Sequence, residues 1–112
     1  MLDVRIFNVY TYRVDVLYQY GGLKFVWSAD KAVWNILKHD VQFEQACQVL
    51  FDPFIRLSDA TADDEMRDGA LGSTEDGELI FVVHIEREAE AIRIISARRA
   101  TANERKDYEE YA

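Results

Sequence analysis

The stretch "LIFVVHIEREAEAIRIISARRAT", residues 79–101, decides how this 112-residue chain is read. "LIFVVHI" is apolar at successive positions, which suits a strand covered on both faces and therefore central in its sheet. "REAE" reads as a turn, and "AIRIIS" returns as a second strand, so the two segments form an antiparallel pair. At Thr101 the pattern changes again: Thr101 and Glu104 make a T-x-x-E capping box, which starts a helix over "ANERKDYEEY".

Working outward, "MRDGALGS" and "FIRLSD" add further short strands joined by the acidic loop "ATADDE" and the turn "TEDGE". Upstream, Ser28 caps a helix over 29–39, in which Ala29, Ala32, Val33, Ile36 and Leu37 recur at helical spacing. A second helix carries Phe43, Ala46, Cys47 and Leu50 on one face and stops at Pro53. "LKFVW" and "VDVLYQ" read as strands on either side of the turn "YGG", and residues 2–13 continue in the same strand-like composition. The expectation is one α+β domain: an antiparallel sheet of about four strands, two N-terminal helices, a C-terminal helix, and an extra N-terminal strand or hairpin.

Composition narrows the function. With 13 basic and 21 acidic residues the net charge is −8, which argues against tight nonspecific nucleic-acid binding, where affinity comes from phosphate neutralisation. The charge is uneven. Residues 58–92 hold eleven acids and two bases, whereas residues 93–112 hold five bases and four acids, so a local phosphate site remains open. No apolar run approaches the roughly 20 residues of a bilayer span, and the charges in "MLDVRIFNVYTYRV" interrupt any secretory h-region; a cytoplasmic protein is expected. The single Cys47 reads as a small buried apolar residue.

The candidate chemistry is sparse. On a strand, Ile92 and Ile94 face one way and Arg93 the other, so Arg93 either pairs with a carboxylate at the sheet rim or faces a ligand. Arg98 and Arg99 lie where the strand hands over to the helix, whose free N–H groups favour an anion; one is expected to function and the other to be solvated. Glu65 and Arg67, two apart, project to one side, as a plain ion pair or as a base beside a phosphate-binding group. His39, next to Lys38 at a helix end, is an acid or base candidate or a capping residue, and His84 reads as core. The acidic loop lacks the calcium-loop template, since Asp64 stands where glycine is required. No P-loop, G-x-G-x-x-G, H-E-x-x-H or G-x-S-x-G is present.

In combination, "FVWSADKAVWNILKHDVQFEQA", "FDP", "EMRDGALG" and "IRIISARRATANERKDYEE" resemble the BrnT family of bacterial type II toxins over about residues 25–110. The most specific pieces are F-x-W-[D/S]-x-x-K-x-x-x-N-x-x-K-H and I-I-S-A-R-[RK]-A-T-x-x-E-R-x-x-Y. The resemblance implies a RelE-like fold over 23–111, with residues 1–22 as an addition. It also implies a ribonuclease that needs no metal or other cofactor, cleaves RNA and inhibits translation. The expected partner is a BrnA-type antitoxin, a ribbon-helix-helix DNA-binding protein, with assembly as a homodimer or as a heterotetramer with the antitoxin. On the matching positions the resemblance implies that Arg67, with Arg98 or Arg93, holds the phosphate and that Arg99 is solvated, while Glu65 acts as base and Lys38 or His39 gives cationic or acid help. Two positions depart from the pattern: Asp40 replaces a glycine, and Glu78 stands where many relatives have arginine. The Glu78 exchange, expected near the site, motivates an alternative in which catalysis is lost and the protein acts as a binding or oligomerisation partner of the antitoxin.

Overall fold

The computed structural model describes residues 14–88 and 90–111; the strand expected over residues 2–13 lies outside them. In chain order the elements are β1 (Asp15–Tyr20), β2 (Leu23–Ser28), α1 (Ala29–His39), α2 (Phe43–Val49), β3 (Arg56–Asp59), β4 (Asp68–Ser73), β5 (Leu79–Glu88), β6 (Ala91–Arg99) and α3 (Ala102–Tyr111). The strands form one sheet in the order β1-β2-β6-β5-β4-β3. Among the described residues it has six strands rather than about four, and β2 lies parallel to β6 through Phe25 opposite Ile92 and Val26 opposite Arg93. The extra strands come from the β1–β2 hairpin, turned by Gly21 and Gly22 at φ 60° and 82°, where a side chain would be strained.

The "LIFVVHI" strand is central, as its two-sided apolar character requires. One face of the sheet packs against α1 and α2 through Phe25, Trp27, Ile80, Val82, Ile94 and Ala97, with Phe43, Ala46, Cys47 and Val49 from α2. Burial pushes the Cys47 thiol up to about 12, so it stays an unreactive core residue. His84 is also in this core, and burial lowers its pKa and favours the neutral ring.

Helix α1 departs from its periodic pattern. Val33 and Leu37, expected in the core, are exposed, and the buried side chain is Asn35. The reason is a backbone vacancy in the sheet. The ladder from β2 to β6 ends at Val26 and Arg93, so further along β6 the edge turned away from β5 has no strand beside it among the described residues. The Asn35 amide fills that place: Oδ1 accepts from Ala97 N–H at 3.0 Å, and Nδ2 donates to Ala97 C=O at 2.8 Å and to Val41 C=O at 2.9 Å. A buried backbone group left without a partner costs about 1–3 kcal/mol, so this polar residue outranks an apolar one there.

The helix ends are closed as the residue types suggest. Ser28 Oγ accepts from Lys31 N–H, and Asp40 takes the left-handed conformation at φ 56° with its N–H on Ile36 C=O. Thr101 and Glu104 satisfy each other's backbone N–H groups at the start of α3.

Asn35→Ala should lower stability by about 2–4 kcal/mol, because it leaves both Ala97 backbone groups unpaired in the core. Urea denaturation checks this, and a loss under about 0.5 kcal/mol would show that Asn35 is not a clamp.

Candidate functional site

A bulge determines what the open face of the sheet carries. Val83 pairs with Ser96 and His84 with Ile94, so Ile95 is an extra residue in β6. Strict alternation would put Arg93 and Arg98 on opposite faces. With Ile95 inserted, Arg93 opposite Ile85, Ser96 opposite Val83, and Arg98 opposite Phe81 all point away from the helices.

Two adjoining cavities open beside this face. The first, ≈ 480 Å³, has Ser28, Lys31, Glu65, Arg67, Glu86 and Arg93 as polar lining and Met66, Ile85, Ile94 and Ile95 as apolar lining. The second, ≈ 540 Å³, shares Met66, Arg67, Ile85 and Glu86 and adds Asp59, Thr61 and Asp68. Arg67 therefore lines both. Its Nε donates to Glu65 Oε1 at 2.7 Å, and its side chain is 25% exposed. Arg93 is more enclosed, 11% exposed, and makes a two-pronged contact with Asp15 of β1 at 2.9 and 3.4 Å. The first turn of α1 is at the same place, with Lys31 on the cavity wall, so its dipole adds positive potential to three cationic side chains.

Of the residues singled out from sequence, the structure thus gathers Glu65, Arg67 and Arg93 around one cavity. Arg98 is on the same face but lines neither cavity; it binds both oxygens of Glu104 at 2.8 and 3.0 Å and lies 4.6 Å above the Phe81 ring. Lys38 and His39 are at the opposite end of α1, about 10 Å along the axis from Lys31 at 1.5 Å per residue. Lys31, Glu86 and Asp15 were not singled out. Lys31 occupies the K of the quoted K-x-x-x-N spacing, whereas no local pattern tells that Asp15 will reach across β2.

Both departures from the family pattern meet Arg99. Arg99 is not simply solvated: it donates to His39 C=O at 3.2 Å and comes within 3.6 Å of Glu78 and 3.9 Å of Asp40. Glu78 therefore serves the end of α1 and does not line the Arg67 cavities. Sequence proximity to the central strand misplaced it, because β5 runs the length of the sheet between Glu78 and the cavity residue Ile85. Among the described residues no three His, Cys, Asp or Glu side chains gather as metal ligands, and no helix is long and apolar enough to cross a membrane.

The family model for the ribonuclease toxin BrnT of type II toxin–antitoxin systems matches residues 27–104. The chain belongs to the BrnT family. A comparison with curated proteins finds no match. Membership implies a ribonuclease toxin with an antitoxin partner. The BrnT match covers Lys31, Glu65, Arg67, Arg93, Arg98 and Glu104, whereas β1, and with it Asp15, lies outside.

The Arg98 contact has a pH signature. Hydrogen bonds from Arg98, and then from the Thr101 N–H, outweigh burial and hold the Glu104 carboxyl below its ordinary 4.5. Glu104 thus binds protons less readily folded than unfolded. Its contribution to stability is present above the ordinary value and is lost as pH falls through the lowered one. Glu104→Gln should lower stability near neutrality and flatten its acid dependence, as read by denaturation across about pH 3 to 7. An unchanged acid limb would remove Glu104 from that dependence.

Proposed function

We propose that this chain is a metal-independent endoribonuclease toxin with a RelE-like fold. It acts in the cytoplasm, inhibits translation by cutting RNA, and is neutralised by a BrnA-type ribbon-helix-helix antitoxin. The observation that carries the reading is the Glu65–Arg67 pair sharing one cavity with Arg93 and Lys31 at a helix start.

The chemistry follows from those groups. Glu65 accepts the proton of a ribose 2′-hydroxyl, whose oxygen attacks the adjacent phosphorus. Negative charge then grows on the non-bridging phosphate oxygens, where the guanidinium groups of Arg67 and Arg93 stabilise it. Asp15 keeps the Arg93 fork in the cavity wall. The bond to the 5′-oxygen breaks as that oxygen takes a proton, leaving a 2′,3′-cyclic phosphate and a free 5′-hydroxyl. Lys31 is the cavity cation placed to donate it; Arg98 acts through Glu104 by fixing α3, and Lys38 and His39 sit too far along α1 to take part from the same copy. The pairing of Glu78 with Arg99, away from the cavity, favours an active enzyme over the binding-only alternative.

Losing one preorganised donor of this kind costs about 2.7–4 kcal/mol at the transition state. Arg67→Ala should therefore cut RNA cleavage by the purified chain at least about a hundredfold with the fold intact, and abolish growth arrest on expression. Glu78→Arg should leave cleavage within about threefold of the parent, since a surface charge exchange away from the cavity is weakly coupled to it. Unchanged cleavage by folded Arg67→Ala would overturn the assignment.

A further inference from the structure

Helix α1 keeps its core contact with Ala32 and Asn35 and turns its larger apolar side chains outward: Val33 is 58% exposed, Trp34 69% and Leu37 75%. At 100° per residue these three fall on one side of the helix, opposite Asn35, and Asp30 and Lys38 lie on the same side. Singly exposed apolar residues are ordinary, but three adjoining ones that include a tryptophan mark a contact surface, because Trp buries a large area with few rotors to freeze.

We propose that this face of α1 is the contact between two copies of the chain, packed antiparallel about a two-fold axis at Trp34. A two-fold contact must be complementary to itself. The face meets that condition. Asp30 stands four residues before Trp34 and Lys38 four after it, so antiparallel pairing sets Asp30 of each copy beside Lys38 of the other. Leu37 then lies against the aliphatic stem of Lys31. The two helix dipoles oppose each other, which favours the same orientation. The chain as a whole carries −8, which repels copies at most approaches, yet this face has one acid against two bases. The pairing also bears on the cavity, and this part rests on the ribonuclease reading: Lys38, remote from Lys31 within one copy, arrives in the dimer one residue from it.

Sedimentation velocity on the full chain across about 1 to 100 μM reads the association directly and needs no RNA cleavage. A dimer is expected, and Trp34→Glu should give a monomer with unchanged circular dichroism. Asp30→Lys and Lys38→Asp should each weaken the dimer at least about tenfold, and the double exchange should restore it. A monomer throughout, a dimer indifferent to Trp34→Glu, or a double exchange no better than either single one would overturn the proposal. So would a monomeric chain whose antitoxin binding is lost with Trp34→Glu, since the face would then belong to that partner. A dimer that cleaves no RNA supports the contact and counts only against the ribonuclease reading.

Discussion

The fold depends on a side chain acting as a strand. β2 runs beside β6 for two residue pairs, and further along the buried backbone of Ala97 is completed by the Asn35 amide. Because the same amide also binds Val41 C=O, one residue ties together the middle of α1, the α1–α2 connection and the strand that carries the arginines. That tie sets where α1 lies on the sheet. Its first turn reaches the cavity with Lys31, and its last turn reaches Arg99.

The bulge at Ile95 is the second constraint. It lets β6 keep Ile94 and Ala97 in the core, three residues apart, a spacing that simple alternation forbids. The same insertion brings Arg93 and Arg98 to one face. Core packing and presentation of the cations are therefore one backbone event, and removing the bulge for either purpose would undo the other.

Electrostatics on the open face is local. Arg67 meets Glu65, Arg93 meets Asp15, and Arg98 meets Glu104, so each guanidinium is oriented by a carboxylate from a different part of the chain. A paired arginine is held in place, which suits a phosphate that must meet a preorganised site. At the far side of α3, Tyr108 donates to Asp52, whose carboxylate also accepts from Ser73 N–H; burial and this contact push the Tyr108 hydroxyl up to about 12. The helix bearing Glu104 is thus anchored at both ends.

The elements themselves were legible from the chain: the central "LIFVVHI" strand, the "YGG" turn, the Ser28 cap, the Thr101–Glu104 box and the core face of α2 follow from local periodicity and capping chemistry, which act over a few residues. The motif spacing also sufficed for the family. What local rules cannot carry is register and long-range pairing. The parallel meeting of β2 with β6, the bulge that redirects Arg98, the reach of Asp15 to Arg93, and the distance of Glu78 from the cavity all join residues far apart in sequence or depend on one inserted residue. The outward turn of Val33, Trp34 and Leu37 belongs with them. Helical spacing shows that a stripe exists, but the buried Ala97 backbone on β6 takes Asn35, and not the stripe, toward the core, because its N–H and C=O groups would otherwise be buried unsatisfied.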